Sequence, residues 1–195
     1  EARLPASHLT VTEIDPMVTQ VAHEKLGLTA DTRIETANLD ARIYLLEHGK
    51  TDTYDLVFGD AFNDYSVPFH LTTIEFDRMV QDVLRDDGMY VVNLVDSGRS
   101  GHFLRAYLRT IREVFANVAV LPNQEAWRSS QRNTFVILAS DAELPLERLA
   151  SQTVLLDAGE LEEYLSQEKP VILSDNYVPV DNLLAPVFLA DARRE

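Results

Sequence analysis

Apolar residues recur along this chain at two spacings, and their alternation predicts strands and helices in turn. Residues 8–14 (HLTVTEI) are rich in β-branched side chains and predict a strand that stops at Asp15-Pro16. Asp15 suits an N-cap and Pro16 a first helical position. Met17, Val18, Val21, Ala22 and Leu26 then return at helical spacing up to Gly27. Residues 32–37 (TRIETA) predict a second strand, and Ile43, Leu45 and Leu46 a short helix behind Asn38-Leu39-Asp40-Ala41. Leu56-Val57-Phe58 is an unbroken apolar run, the pattern of a strand buried in a parallel sheet, and it ends at Gly59-Asp60. Thr72-x-x-Glu75 fits a capping box and opens a helix striped by Ile74, Phe76, Met79, Val80, Val83 and Leu84, closing at Asp86-Asp87-Gly88. Residues 89–95 (MYVVNLV) read as another buried strand. After a loop with Gly98 and Gly101, residues 102–115 carry a clear helical stripe from Phe103 to Phe115.

Residues 118–121 and 134–139 predict two more strands with no helix between them, so an antiparallel edge is expected. The class is therefore α/β, a mostly parallel doubly wound sheet with an antiparallel edge strand. Past residue 142 the pattern weakens. Pro145 opens a helix over 143–152, Asp157-x-x-Glu160 is a second capping box, and Ser174 to Asp181 reads as loop. Without repeats or a low-complexity linker, residues 1–195 are read as a single Rossmann-like domain, with the sheet core over 1–142 and a helical and loop extension over 143–195.

Composition narrows the chemistry. The chain has 195 residues and no cysteine, which removes disulfides, thiolate metal ligands and Cys nucleophiles. Its formal net charge of −15 argues against a nucleic-acid partner and favours cationic ligands, although acidity also serves solubility alone. There is no long apolar run for a membrane and no secretory signal, and a cytoplasmic location is expected. The five histidines show no metal-ligand spacing, so no metal is expected. There is no Gly-x-Ser-x-Gly elbow of a hydrolase. Trp127 is read as a packing residue in its loop.

Glu13, Asp40 and Asp60 fall at or just past the ends of three successive strands. In a parallel sheet such ends line one crevice, where open α/β folds bind ligands. One strand-end carboxylate can accept both hydroxyls of a ribose, a second an exocyclic amine of adenine, and a third is left for a reacting group. The alternative for each is a helix cap or a solvated acid, an even choice for Asp40 taken singly, but the three together in this order favour the functional reading.

The chain resembles the spermidine synthase family, in particular its bacterial spermidine synthase-like branch on the methyltransferase-type Rossmann fold. The resemblance rests on Thr12-Glu13-Ile14-Asp15-Pro16, Asp40-Ala41-Arg42, Tyr54-Asp55 through Asp60-Ala61-Phe62, Val67 through Thr73, Gly88 to Asn93, and Ser174 through Asp181. It implies that Glu13, with Ile14 beside it, holds the ribose of decarboxylated S-adenosylmethionine or S-adenosylmethionine, and that Asp40 and Ala41 hold the adenine amine. Asp60 would border the cofactor, bind the attacking amine and act as its base. Asp64 and Tyr65 would position a small cationic amine such as putrescine. The implied activity is aminopropyl transfer. Methyl transfer and a non-catalytic binding or assembly module are the alternatives, and a homodimer is a compatible assembly. The family's Gly-rich loop is not seen, because only residues 1–7 precede the first strand, so an N-terminally shortened chain is expected. The family's compact Asp-Ser-Ser-Asp segment is here Asp60-Ala-Phe-Asn-Asp64.

Overall fold

The computed structural model describes residues 6–61 and 66–191. It resolves into two compact units, residues 1–49 and 50–195, which are described separately.

The first unit is a strand–helix–strand crossover with one further helix. Strand β1 (Leu9–Thr12) pairs in parallel with β2 (Ile34–Ala37), in register from Leu9 opposite Ile34 to Thr12 opposite Ala37. Helix α1 (Pro16–Lys25) connects them. Asp15 caps it, its carboxylate accepting from the Met17 N–H at 2.8 Å, and Pro16 loses nothing at a position where the N–H has no helical partner. Gly27 takes a left-handed φ of +81°, which lets the chain leave the helix without a Cβ penalty. Helix α2 (Ala41–His48) follows β2. No described side chain of this unit is buried.

The second unit holds a four-stranded sheet in the order β3-β4-β6-β5. Strand β3 (Tyr54–Gly59) runs parallel to β4 (Leu84–Ser97) through a crossover that contains a short 3-10 turn (Phe69–Leu71) and helix α3 (Ile74–Val83). Helix α4 (Phe103–Arg112) leads to β5 (Asn117–Pro122), which pairs antiparallel with β6 (Arg132–Ser140); β6 in turn pairs antiparallel with β4. The predicted antiparallel closing pair is present, and its second strand lies inside the sheet with β5 on the edge.

The core follows from alternation. Tyr90, Val92 and Leu94 on β4 are buried, as are Phe103, Leu104, Tyr107, Leu108 and Ile111 on α4, and Tyr90 meets Phe115 ring to ring at 6.2 Å. Each such aliphatic or aromatic side chain contributes about 1.5–3 kcal/mol by leaving water. Val91 points to the other face of β4, where it clusters with Ala119, Leu138 and Leu144, and Leu149 and Leu155 pack against that cluster. The start of the chain past β6 therefore covers the second face of this sheet, while its later part packs against α4. The chain past β6 forms α5 (Leu146–Ala150), α6 (Ala158–Ser166) and α7 (Val180–Asp191). The Asp157/Glu160 capping box on α6 is present with both reciprocal bonds.

Four local expectations are corrected. Strand β3, read as buried, lies at the edge of its sheet with Leu56 and Phe58 exposed. Helix α3 starts one residue later than the Thr72–Glu75 capping box requires: Thr73 is the cap, its hydroxyl accepting from the Phe76 N–H at 3.3 Å, while Thr72 turns back to donate to the Phe69 carbonyl at 2.7 Å. Strand β4 absorbs Asp86-Asp87-Gly88, which had read as a helix end. Leu84 already pairs with Tyr54, and a register shift between Tyr54 and Leu56 takes up the extra residues. Helix α7 had no expected counterpart; it begins at Val180, inside a stretch read as loop, and carries Pro186 internally.

Candidate active site

Asp60 stands directly after β3. Its place is set by the parallel pairing, which puts Gly59 opposite Val92 on β4. The next residue of β4, Asn93, reaches across: its Nδ2 donates to Asp60 Oδ1 at 2.9 Å. Because a carboxylate only accepts, this bond fixes which way the amide faces. The Asn93 Oδ1 is buried and takes no hydrogen bond from any described residue. Asp60 itself is exposed. Gly59 is required by close packing: a Cβ there would lie 2.9 Å from the Tyr90 hydroxyl. The strand end that carries Asp60 is thus pressed against a fully buried tyrosine. Asp64 and Tyr65 lie outside the described residues.

Beneath this strand end sits a second buried polar group. Asp77 on α3 is fully enclosed and accepts from the Tyr107 hydroxyl at 3.3 Å. Burial drives its carboxyl well above the ordinary range, against the smaller lowering by that hydrogen bond, so it is held protonated. Asp96, near the end of β4, is also buried. Its two oxygens accept from the Ser97 and Leu104 N–H groups at 2.7 Å each, which secures the start of α4. Burial outweighs these bonds and pushes it up to about 6.

The segment after Asp60 is anchored by the far end of the chain. Thr73 donates to Asp175 Oδ1 at 2.8 Å, the Asp175 N–H donates to Glu75 at 3.0 Å, and the Ile74 N–H donates to the Leu173 carbonyl at 2.9 Å. Ser174 and Tyr177 close a small two-residue bridge. The Ser174–Asp181 motif therefore works as a latch on the α3 start. The Glu75 carboxylate, expected to accept from a cap N–H in a capping box, accepts instead from the Asp175 N–H of this latch.

In the first unit, Glu13 follows β1 and Asp40 follows β2, so both acids leave the same ends of two paired strands. The Glu13 N–H bonds to the Ala37 carbonyl at 3.0 Å, and its Oε1 accepts from the Asp15 N–H at 2.9 Å. Asn38 Nδ2 donates to the Glu13 carbonyl at 3.1 Å and to the Thr19 hydroxyl at 2.8 Å, which ties the two strand ends together. Ile14 is exposed. Asp40 is the N-cap of α2, with Oδ1 accepting from Arg42 and Ile43 N–H at 2.9 and 3.2 Å, and Ala41 is the first helical residue. Glu13 and Asp40 belong to the first unit and Asp60 to the second.

Sequence reading missed Asn93 as the neighbour of Asp60. The available signal was one amide inside the apolar run MYVVNLV, since a polar residue in a buried strand must find a partner. Trp127 packs as expected, buried against Phe135 and Tyr164. A cavity of the second unit, about 580 Å³, is lined by residues that include Thr51, Asp52, Asp82 and Arg85 at the opposite strand ends, away from Asp60. Among the described residues no three His, Asp or Glu side chains are gathered for a metal ion, and no helix is long and apolar enough to cross a membrane.

No family model matches the sequence. The chain is similar to a polyamine aminopropyltransferase of Vibrio vulnificus, 30% identical over 198 aligned positions that cover 92% of this chain and 62% of the relative. It is also similar to a probable polyamine aminopropyl transferase of Bifidobacterium longum, 34% identical over 114 positions, covering 58% of this chain and 25% of the relative. The chain thus spans less than two thirds of the length of either. Among solved structures it resembles a probable spermidine synthase from Corynebacterium glutamicum, with a TM-score of 0.71, 22% identity, and coverage of 88% of this chain and 65% of that one. A spermidine synthase in complex with the transition state analogue AdoDATO aligns with a TM-score of 0.57 at 19% identity, covering 93% of this chain and 59% of that one. Human methyltransferase-like protein 13 in complex with SAH aligns with a TM-score of 0.58 at 21% identity, covering 92% and 79%. These likenesses show the fold, a methyltransferase-type α/β fold as the sequence predicted.

Proposed function

We propose that this chain, which is similar to polyamine aminopropyltransferases, is a spermidine synthase-like enzyme that transfers an aminopropyl group from decarboxylated S-adenosylmethionine to a diamine such as putrescine. The observation that carries the reading is Asp60, exposed at the end of β3 and oriented by the Asn93 amide.

The sulfonium co-substrate, when bound, supplies an electrophilic carbon and a neutral thioether leaving group. The protein's task is to align a nucleophile with that carbon and to supply it unprotonated. A primary amine is an ammonium at neutral pH. Asp60 pairs with that ammonium and accepts the proton as the C–N bond forms and the C–S bond breaks. The net charge of −15 draws both cationic reactants toward the protein. Glu13 accepts the ribose hydroxyls: one of its oxygens is held by the Asp15 N–H, and the other has no partner among the described residues. Asp40 and Ala41 take the adenine amine, and Ile14 borders the nucleoside. Asp64 and Tyr65 position the distal end of the diamine. The AdoDATO and SAH complexes of the two fold neighbours support a nucleoside sulfonium-type ligand. A cytoplasmic setting and a homodimer complete this reading.

Methyl transfer from S-adenosylmethionine is the second reading, because a methyltransferase shares the fold. The purified protein is offered putrescine with each co-substrate, and products are read by mass spectrometry. Spermidine from the decarboxylated co-substrate is the expected result. Methylated putrescine would select the second reading. No product from either, together with no heat on titration with methylthioadenosine, would leave a non-catalytic binding module.

A further inference from the structure

A cavity of about 320 Å³ in the second unit lies apart from the residues given roles above. It is lined by Gly98 and Arg99 after β4, Arg128 between β5 and β6, and Tyr164 and Gln167 at the end of α6. We propose that this cavity is a binding site for a small oxyanion, a carboxylate or a phosphate group.

The charges around it decide the sign of the ligand. Glu163 pairs with Arg128 at 3.0 Å, and Glu168 pairs with the buried Arg105 at 3.0 Å and with His102 at 2.7 Å. The Asp96 carboxylate is taken up by two backbone N–H groups. Glu160, also near Arg128, accepts from the Asp157 N–H at 3.3 Å. These acids are therefore engaged, whereas the exposed Arg99 side chain makes no ion pair or hydrogen bond with any described residue. Around this cavity Arg99 is thus a described cation without a partner, on a molecule whose net charge is −15. The molecule's overall field decays over about 8 Å at physiological ionic strength, so it weighs little against a guanidinium in direct contact.

The polar groups on the wall are mostly donors. Guanidinium groups only donate, and their planar fork fits two oxygens of one anion. The Gln167 Oε1 already accepts from Arg105 at 3.0 Å, which turns its N–H group to other partners. The Tyr164 hydroxyl is buried and bonds to no described residue. Burial raises its pKa, so it keeps its proton and can donate. Arg105 lies 4.0 Å over the Tyr164 ring, adding positive potential behind it. A cationic amine would meet two arginines here, so this cavity is not a second seat for the diamine. Its volume is at the lower end of the range for ligand pockets, which suits a small oxyanion better than a nucleotide.

The chain contains its own reporter. Trp127 is the single tryptophan, buried, 5.1 Å ring to ring from Tyr164 and 5.0 Å from the Arg128 guanidinium. Its emission is followed while sodium phosphate, and separately sodium acetate, is added at an ionic strength held constant with sodium chloride. The arginine Nε–H resonances are followed in parallel, so that a spectrally silent tryptophan does not hide binding. A saturable response with a midpoint on the order of 1 mM is expected for at least one oxyanion. Phosphate alone would identify a phosphate ligand and acetate alone a carboxylate. Arg99→Ala should raise the midpoint at least about tenfold, a loss in line with one charge-assisted pair, with an unchanged circular dichroism spectrum. Arg85→Ala, which removes a cation paired with Asp55 elsewhere, should leave the midpoint unchanged. The proposal is overturned if neither oxyanion gives a saturable response in either readout, or if Arg99→Ala binds as the parent does.

Discussion

The two units of this chain carry similar strand and helix patterns and reach different ends. In the second unit the stripe on α4 is fully enclosed: Phe103, Tyr107, Leu108 and Ile111 are each 0% exposed. In the first unit the equivalent positions stay in water, with Met17 57% and Leu26 75% exposed. The difference is one of layers. β4 has a strand on either side and chain on both faces, whereas the first unit has a two-stranded parallel sheet, a size that rarely holds a core. Periodicity states which face is fit for burial. What packs on it is a separate matter.

The contrast predicts unequal costs for the same kind of truncation. Leu108→Ala should lower unfolding free energy by about 2–5 kcal/mol, while Val11→Ala should cost about 0.5 kcal/mol or less. Denaturant melts of the two variants measure this, and equal losses would break the comparison. Next in size is Gly59→Ala, which forces a methyl against the Tyr90 hydroxyl and should cost about 1–3 kcal/mol in thermal unfolding. The matching change at exposed Gly27, where a Cβ meets nothing within 4 Å, tests backbone conformation alone through its φ of +81°.

Most of the architecture was legible because it rests on local rules. Asp15-Pro16, Gly27 and the Asp157/Glu160 box each mark a helix boundary by chemistry contained in a few residues. The errors arose where tertiary partners override local signals. Thr72 and Thr73 are equally good caps on paper, and the choice is made by Asp175, a hundred residues away, which binds Thr73. Helix α7 was hidden because its burial depends on neighbours that no window reveals, and because Pro186 argues against a helix locally. Within the candidate site, the three acids were readable as strand-end residues. The structure adds that Asp40 is also a cap and that Asn93 holds Asp60. Neither the pairing of β3 with β4 nor its register is written in either strand alone.

Buried acids sharpen the contrast further, since among the described residues they occur only in the second unit. Asp77 keeps its proton in the folded state, while the unfolded chain releases it near pH 4. The folded state therefore binds the extra proton, and stability falls as pH rises above that value; Asp96 adds the same sign between about pH 4 and about 6. Asp77→Asn, which imitates the neutral acid, should flatten the decline by about 1 kcal/mol per pH unit. Unfolding followed from pH 4 to 8 checks this, and an unchanged slope would place the proton elsewhere. The smallest effect is expected at Asn93→Ala. Losing the 2.9 Å bond to Asp60 should lower transfer activity roughly three- to tenfold, with stability nearly unaffected.

The most direct test of the central claim is single-turnover transfer from decarboxylated S-adenosylmethionine to putrescine by the parent and by Asp60→Asn, with methylthioadenosine affinity measured on both. The account predicts spermidine from the parent, a loss of about 100-fold or more in the variant, and equal nucleoside affinity. A variant that transfers as fast as the parent would contradict the assignment of Asp60 as the base.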